Sequence, residues 1–224
     1  MEILYKDKNA VIIKKPVGMP SQSDESGDND AMSLTSQALR ALGESGALWL
    51  IHRLDRVVGG LMIFARNKKA AAELSALVAD GGIGKEYIAV AEGELGSGIM
   101  QDYIFRDGAT KKAYIAEKER GGVKFAELEY ETVSTAQSTT RTYSLVKVEL
   151  HTGRFHQIRA QFSSRGHALV GDKKYGSRDV MARHPALFAY KLDLTLFGKR
   201  IVCRAVPDCE CYPWSMFCDK INSL

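Results

Sequence analysis

The chain has 224 residues, is 45% hydrophobic and 26% charged, and carries a net charge of +4 at neutral pH. That composition suits a globular protein with one buried core, either a single domain or a domain with a small lobe. No apolar run approaches the ~18 residues of a membrane span. The opening MEILYKDKNA lacks the basic-then-apolar pattern of a signal segment, so a cytoplasmic protein is expected.

Ile3 to Tyr5 and Val11 to Ile13 flank the turn-like Lys6-Asp7-Lys8-Asn9, which predicts a hairpin. The polar stretch Ser21 to Asp30 reads as a mobile loop. Leu34 to Leu42 reads as a helix capped by Ser33 and stopped at Gly43. Short apolar strands, Leu48 to Ile51 and Leu61 to Ala65, enclose the segment His52 to Gly60. Asn67 then caps a helix through Val78, closed by Gly81-Gly82.

After Gly84 come strand-like runs: Tyr87 to Ala91, Ala113 to Ala116, Phe125 to Val133 and Tyr143 to Leu150. The last carries apolar residues in both alternations, Tyr143 and Leu145 against Val146 and Val148, and is read as buried on both faces. Gly153 to Arg165 reads as a helix, Leu187 to Leu196 with Arg200 to Val206 as a closing hairpin, and Trp214 to Ile221 as a terminal helix. Successive strands with inserted helices predict an α+β fold, a single domain over residues 1–224 with a mainly antiparallel mixed sheet and flanking helices.

Charge is unevenly spread. Residues 151–184 hold seven basic and two acidic residues, a surplus of five, so the remainder of the chain is short by one. The same segment holds His151, His156, His167 and His184, four of the five histidines. A cationic patch on a near-neutral body suits a polyanion such as RNA, although a solvated basic face has the same composition. Cys203, Cys209, Cys211 and Cys218 lack the paired C-x2-C units of zinc sites, so they are read as reduced thiols with no metal.

Two segments carry chemistry. In GRFHQIRAQFSSR, residues 153–165, helical spacing puts Phe155, Ile158 and Phe162 on one face with Arg159 among them. A guanidinium keeps its charge, so Arg159 either finds a carboxylate partner in the core or snorkels to water. A candidate partner is Asp55, in Ile51-His52-Arg53-Leu54-Asp55, where a strand end runs toward Gly59-Gly60. A lone Asp at such a place can also merely cap a turn.

His52-Arg53-Leu54-Asp55-Arg56 with Gly60-Leu61-Met62-Ile63-Phe64-Ala65 resembles the signature of the RluA-type pseudouridine synthases. Lys15-Pro16-Val17-Gly18-Met19 resembles that family's N-terminal motif, and Lys85-Glu86-Tyr87 its tyrosine motif. Gly153-Arg154-Phe155-His156-Gln157-Ile158-Arg159 is similar to its arginine motif, and Gly171-Asp172-Lys173-Lys174-Tyr175-Gly176 to the segment that follows. The blocks keep the family's order across roughly residues 3–206. Val58 and Gly59 depart from its Thr and Ser, Phe155 from its Thr, and Ala160-Gln161 from its Val-His.

The resemblance implies conversion of uridine in a structured rRNA or tRNA to pseudouridine, with no cofactor and no metal. Asp55 would be the nucleophile, at the ribose C1′ or at the uracil ring, and Arg159 beside it would favour the charged carboxylate. Tyr87 would stack on the uracil, and Leu187 would help exclude water. Arg53 would fill the space of a flipped-out base or, as a second reading, pair with Asp55. Arg154, His156, Lys173, Lys174 and Arg178 would contact the RNA.

The chain starts at the first family motif, leaving no room for the upstream RNA-binding (S4) domain of some relatives, so site choice would rest with the catalytic domain and RNA shape. A monomer is expected. Three other readings fare worse. A P-loop fails because Ala79 stands at the first glycine and Glu86 follows Gly84-Lys85. A two-carboxylate hydrolase lacks a second acid near Asp55. A non-catalytic RNA-binding protein would not need Asp55, Tyr87 and Arg159 together.

Overall fold

The computed structural model describes all 224 residues, Met1–Leu224. Strands β1 (Glu2–Lys6) and β2 (Ala10–Lys15) are followed by helix α1 (Ala31–Ala41) and strands β3 (Trp49–Leu50) and β4 (Gly59–Ala65). Helix α2 (Lys68–Ala79) leads to β5 (Ile83–Glu92), β6 (Ser97–Asp107), β7 (Lys112–Ala116), β8 (Val123–Gln137) and β9 (Thr142–Leu150). Helix α3 (Gln157–Ser164) and a 3₁₀ turn at Lys173–Tyr175 precede β10 (Leu187–Leu196) and β11 (Lys199–Arg204). A second 3₁₀ turn, Trp214–Phe217, runs into α4 (Cys218–Asn222). The fold is α+β, as read, with a mainly antiparallel sheet.

The elements gather into two compact units, residues 1–85 with 189–207 and residues 86–188 with 208–224. Strands β5 and β10 run from one unit into the other.

In the first unit the strand order is β1-β2-β4-β10, with β3 also on β4 and β11 on β10. The hairpin β1–β2 forms as predicted, with Ile3 opposite Ile13. Strands β2 and β4 are nearly continuous apolar runs because both of their faces are covered. Helix α2 lays Ala70 and Leu74, one turn apart, onto a core that includes Ile12, Leu61, Ile63 and Leu194. Its start is the predicted one: the Asn67 side chain accepts the Ala70 amide at 2.8 Å.

Helix α1 begins earlier than its apolar spacing suggested. Its cap is Asp30, not Ser33: Asp30 has extended backbone, and its carboxylate accepts the Ser33 amide at 2.9 Å. The polar stretch before it is tied at both ends, since Ser21 and Asp30 are buried while residues 22–29 are exposed. Gly43 does stop the helix, in a left-handed conformation (φ 75°), as the Glu44 amide reaches back to Leu39 at 3.0 Å.

The second unit has strand order β5-β9-β8-β6-β7, antiparallel throughout. Strand β9 is central, and Tyr143 through Val146 are buried, confirming the two-faced burial read from its pattern. Strand β6 is an addition to the predicted elements. Helix α3 and the 3₁₀ turn cover one face of β6–β8, packing Ala160 and Tyr175 onto Ile104, Ala113 and Ala126. The helix is shorter than the segment 153–165, because His156 adopts left-handed backbone (φ 53°) and breaks the helix ahead of Gln157. The terminal helix likewise splits into a 3₁₀ turn and α4.

Candidate active site

Asp55 lies in the first unit, between β3 and β4, on a loop held by its neighbours on both sides. The Ser21 hydroxyl donates to the Leu54 carbonyl at 2.7 Å and accepts the Leu54 amide at 3.1 Å. On the other side, the Gly18 amide donates to the Arg56 carbonyl at 2.8 Å, and Arg56 Nε returns a bond to the Gly18 carbonyl at 3.0 Å. The Asp55 carbonyl closes the turn by accepting the Val58 amide at 2.9 Å. The backbone of residues 54–58 is therefore set by contacts from residues 18–21.

Beneath this loop sits Lys15, fully buried. Its ammonium donates to the carbonyls of Pro16, Met19 and Arg56 at 3.0, 2.7 and 3.4 Å. Burial lowers its pKa to about 8, opposed by the attraction of the Asp55 carboxylate. Lys15 was legible only as part of a motif. A lysine in the run AVIIKK looks like a strand end reaching water, and nothing local says that three carbonyls surround it.

His52 serves structure here. Its Nε2 accepts the Ile63 amide at 3.2 Å, and burial, with Lys85 adding to the effect, drops its pKa to about 4. Gly60 must be glycine: φ is 118°, and a Cβ would stand 2.4 Å from the Ala189 carbonyl oxygen. Arg53 is exposed on the same loop.

Arg159, in α3 of the second unit, is 4% exposed, so it does not snorkel to water. A carboxylate partner demanded by that burial is Asp172, which accepts from Nε at 2.6 Å and from Nη2 at 2.8 Å. This is a bidentate, nearly dry ion pair. The guanidinium also lies over the Tyr175 ring, 4.9 Å from its centroid. The Tyr175 hydroxyl accepts the Ala113 amide at 2.7 Å and lies 2.8 Å from His156 Nδ1. Burial first, then Arg159, Lys174 and Arg106, lower the His156 pKa to about 3, so this imidazole is neutral at physiological pH.

The 3₁₀ turn sorts its residues by side. Asp172 and Tyr175 point inward, while Lys173 and Lys174 are exposed. Arg154 is half-buried and donates through Nε to the Phe125 carbonyl at 2.7 Å. Tyr87 is 8% exposed, on β5 opposite Val148, and Leu187 is 5% exposed at the start of β10. The second unit thus brings Arg154, His156, Arg159, Lys173 and Lys174 around one helix start and one turn. Asp172 and Tyr175 were inside the quoted motif without a role. The basic segment is also less uniformly available than its count implies, since Arg159 is paired with Asp172 and Arg165 with Asp102.

The sequence profile described as RNA pseudouridylate synthase matches residues 9–164, which include the Asp55 loop, Tyr87 and Arg159. The chain belongs to this family. Among curated RNA pseudouridine synthases it is 31% identical over 195 residues to "Uncharacterized RNA pseudouridine synthase YhcT" of Bacillus subtilis, covering 86% of this chain and 63% of that one. It is 30% identical over 207 residues to "Ribosomal large subunit pseudouridine synthase C" of Rickettsia felis, covering 89% and 65%. The chain therefore spans about three fifths of the length of such relatives. In fold it is similar to the human RNA Pseudouridylate Synthase Domain Containing 4 structure, with a TM-score of 0.77 at 21% identity over 99% of this chain and 93% of that one.

Proposed function

We propose that this member of the RNA pseudouridylate synthase family isomerises specific uridines in a structured rRNA or tRNA, with Asp55 as the nucleophile. The observation that carries the reading is the anchoring of the Asp55 loop. A carboxylate whose flanking peptides are hydrogen-bonded on both sides, above a buried ammonium, is pre-positioned in a way that ordinary turn capping does not need.

In the reaction the N1–C1′ bond of uridine breaks, the uracil turns, and a C5–C1′ bond forms. C5 gives up its proton and N1 gains one. No electrons are gained or lost and no group leaves the nucleoside, so the chemistry calls for no cofactor. Asp55 forms and releases a covalent bond to the substrate, and Arg159, already oriented by Asp172, acts beside it as a fixed positive charge. Tyr87 stacks on the uracil and Leu187 helps exclude water that would intercept the cleaved sugar. Arg53 occupies the space vacated by the flipped base. Lys173, Lys174 and Arg178 hold phosphates, and the neutral His156 offers a donor. No helix is long and apolar enough to cross a membrane, and a monomer acting in the cytoplasm is the expected form.

The test incubates total tRNA and rRNA with wild type and with Asp55→Ala, and quantifies pseudouridine by nucleoside mass spectrometry. Wild type forms pseudouridine, and Asp55→Ala binds RNA equally but forms none. Equal product from both would falsify the assignment.

A further inference from the structure

The reaction leaves one surface of the second unit unused, the outer face of β6, β7 and β8. An antiparallel sheet covered on one side carries alternate residues toward the core and toward water, and the outward set is normally polar. Here Met100, Ile104, Ala113 and Ala126 form the covered set, each at most 4% exposed. The opposite alternation holds Tyr103, Phe105, Tyr114 and Phe125. Register places Tyr103 directly across from Phe125, and Phe105 across from Tyr114, so the four rings make one patch over three strands. Tyr103 and Phe125 meet edge to face at 5.9 Å, and Tyr114 and Phe125 are each 42% exposed. Four aromatic rings on a water-facing sheet surface exceed the scattered apolar residues that any surface carries.

Cations are interleaved with these rings. The Lys112 ammonium, on the edge strand, lies 5.2 Å from the centroid of Tyr114 and 5.0 Å from that of Tyr175 on the covered side, and the Arg120 guanidinium lies 6.0 Å from that of Phe105. Residues 106–124 hold six basic residues against three acidic ones. A protein-docking patch has few charges at its centre. Rings that carry basic groups directly over them match a different partner, one with flat bases and a phosphate backbone.

We propose that this face is a stacking platform for unpaired nucleotides of the RNA substrate. The proposal rests on the RNA-substrate reading above but not on the role of Asp55. Unpaired nucleotides are the occupant because a duplex hides the faces of its bases, whereas loops and single strands splay them onto aromatic side chains. Tyr103, Phe105, Tyr114 and Phe125 supply the rings. Lys112 and Arg120 supply positive charge for the backbone. The platform binds with little sequence preference, since every base has a face to stack.

The test uses the full chain as wild type, Tyr114→Ala, Phe125→Ala and Tyr114→Phe. Two fluorescent probes, a mixed-sequence 12-nucleotide single-stranded RNA and a blunt 12-base-pair RNA duplex, are titrated by anisotropy. Loss of one stacking ring weakens single-strand binding about 5- to 100-fold, leaves duplex binding within about two-fold, and is rescued in Tyr114→Phe. Thermal unfolding guards against a folding defect, and exposed positions such as these tolerate truncation. Unchanged single-strand affinity in both alanine variants overturns the proposal. So does an equal loss on both probes, and so does a change only in self-association on size exclusion, which would mark a protein interface. A wild type that makes no pseudouridine, while the alanine variants still lose single-strand binding, breaks the catalytic reading and supports the platform.

Discussion

Asp55 and Arg159, one in each unit, are held by opposite means. The loop of Asp55 is positioned through its backbone, by Ser21 on Leu54 and by Gly18 and Lys15 on Arg56. Arg159 is positioned through its side chain, by the fork of Asp172 and the ring of Tyr175. The difference follows from chemistry. A short carboxylate is aimed once its main chain is set, whereas a guanidinium on a flexible stem must be gripped at its head. The same logic says where each will fail: the first by loosening of a loop, the second by loss of the fork that orients the guanidinium.

The largest effect is expected at the grip. Asp172→Ala removes the bidentate acceptor of the Arg159 guanidinium in a nearly dry site, a change that costs about 3–5 kcal/mol. Its urea unfolding midpoint should drop markedly, while Asp172→Asn, which keeps an acceptor, should recover part of the loss. An unchanged midpoint in Asp172→Ala would show that the ion pair does not carry α3.

Lys15→Met probes the loop. Removing a donor from three buried carbonyls costs about 1–3 kcal/mol at neutral pH. The pH response has a definite sign. Burial places the folded pKa of Lys15 near 8, below its ordinary 10.5, so between these values the unfolded chain binds more protons. The folding stability of wild type relative to Lys15→Met should therefore rise from pH 8 to 10. Turnover should fall over the same range, as the charge beneath Asp55 is lost. Paired denaturation curves at pH 7.5 and 9.5 check the sign, and a stability difference that shrinks on raising the pH would contradict it.

The histidines give a response in the opposite range. His52 and His156, with pKa values near 4 and 3, are neutral when folded and take up protons on unfolding below about 6.5. Stability should be lost as pH falls from 6.5 toward 4, and His156→Gln should flatten that slope. Ser21→Ala is the mildest change, costing about 1 kcal/mol through Leu54. It should lower turnover more than its stability loss explains if the loop must be rigid.

The two units differ also in how far their sequence revealed them. In the first, the hairpin, the Asn67 cap, Gly43 and the apolar strand β4 were all readable, because each rests on local chemistry. The cap of α1 differs from the expected Ser33, since Ser33 is an adequate cap by composition and only the extended backbone at Asp30 decides the matter. In the second unit β6 escaped notice: Gln101, Asp102, Arg106 and Asp107 break its apolar alternation. Asp102 sits in the strand because Gln161 of α3 and Arg165, just past its end, bond it at 2.7 and 2.9 Å, contacts made across about sixty residues. Helix α3 is shorter than its apolar spacing predicts because nothing in the sequence signals the left-handed turn at His156. The candidate residues themselves were legible through ordered motifs, yet the side chains that orient them, Lys15, Ser21, Asp172 and Tyr175, act through tertiary contacts that no spacing records.

The most direct measurement is a crystal structure of the Asp55→Asn chain bound to a uridine-containing stem-loop that it modifies as wild type. The expected complex has the target uridine out of its stack, with the residue 55 side chain within about 3 Å of the nucleotide and the Arg159 guanidinium hydrogen-bonded to that same side chain. A target uridine seated against residue 55 with Arg159 more than about 8 Å away, beyond the reach of any hydrogen bond, would contradict it.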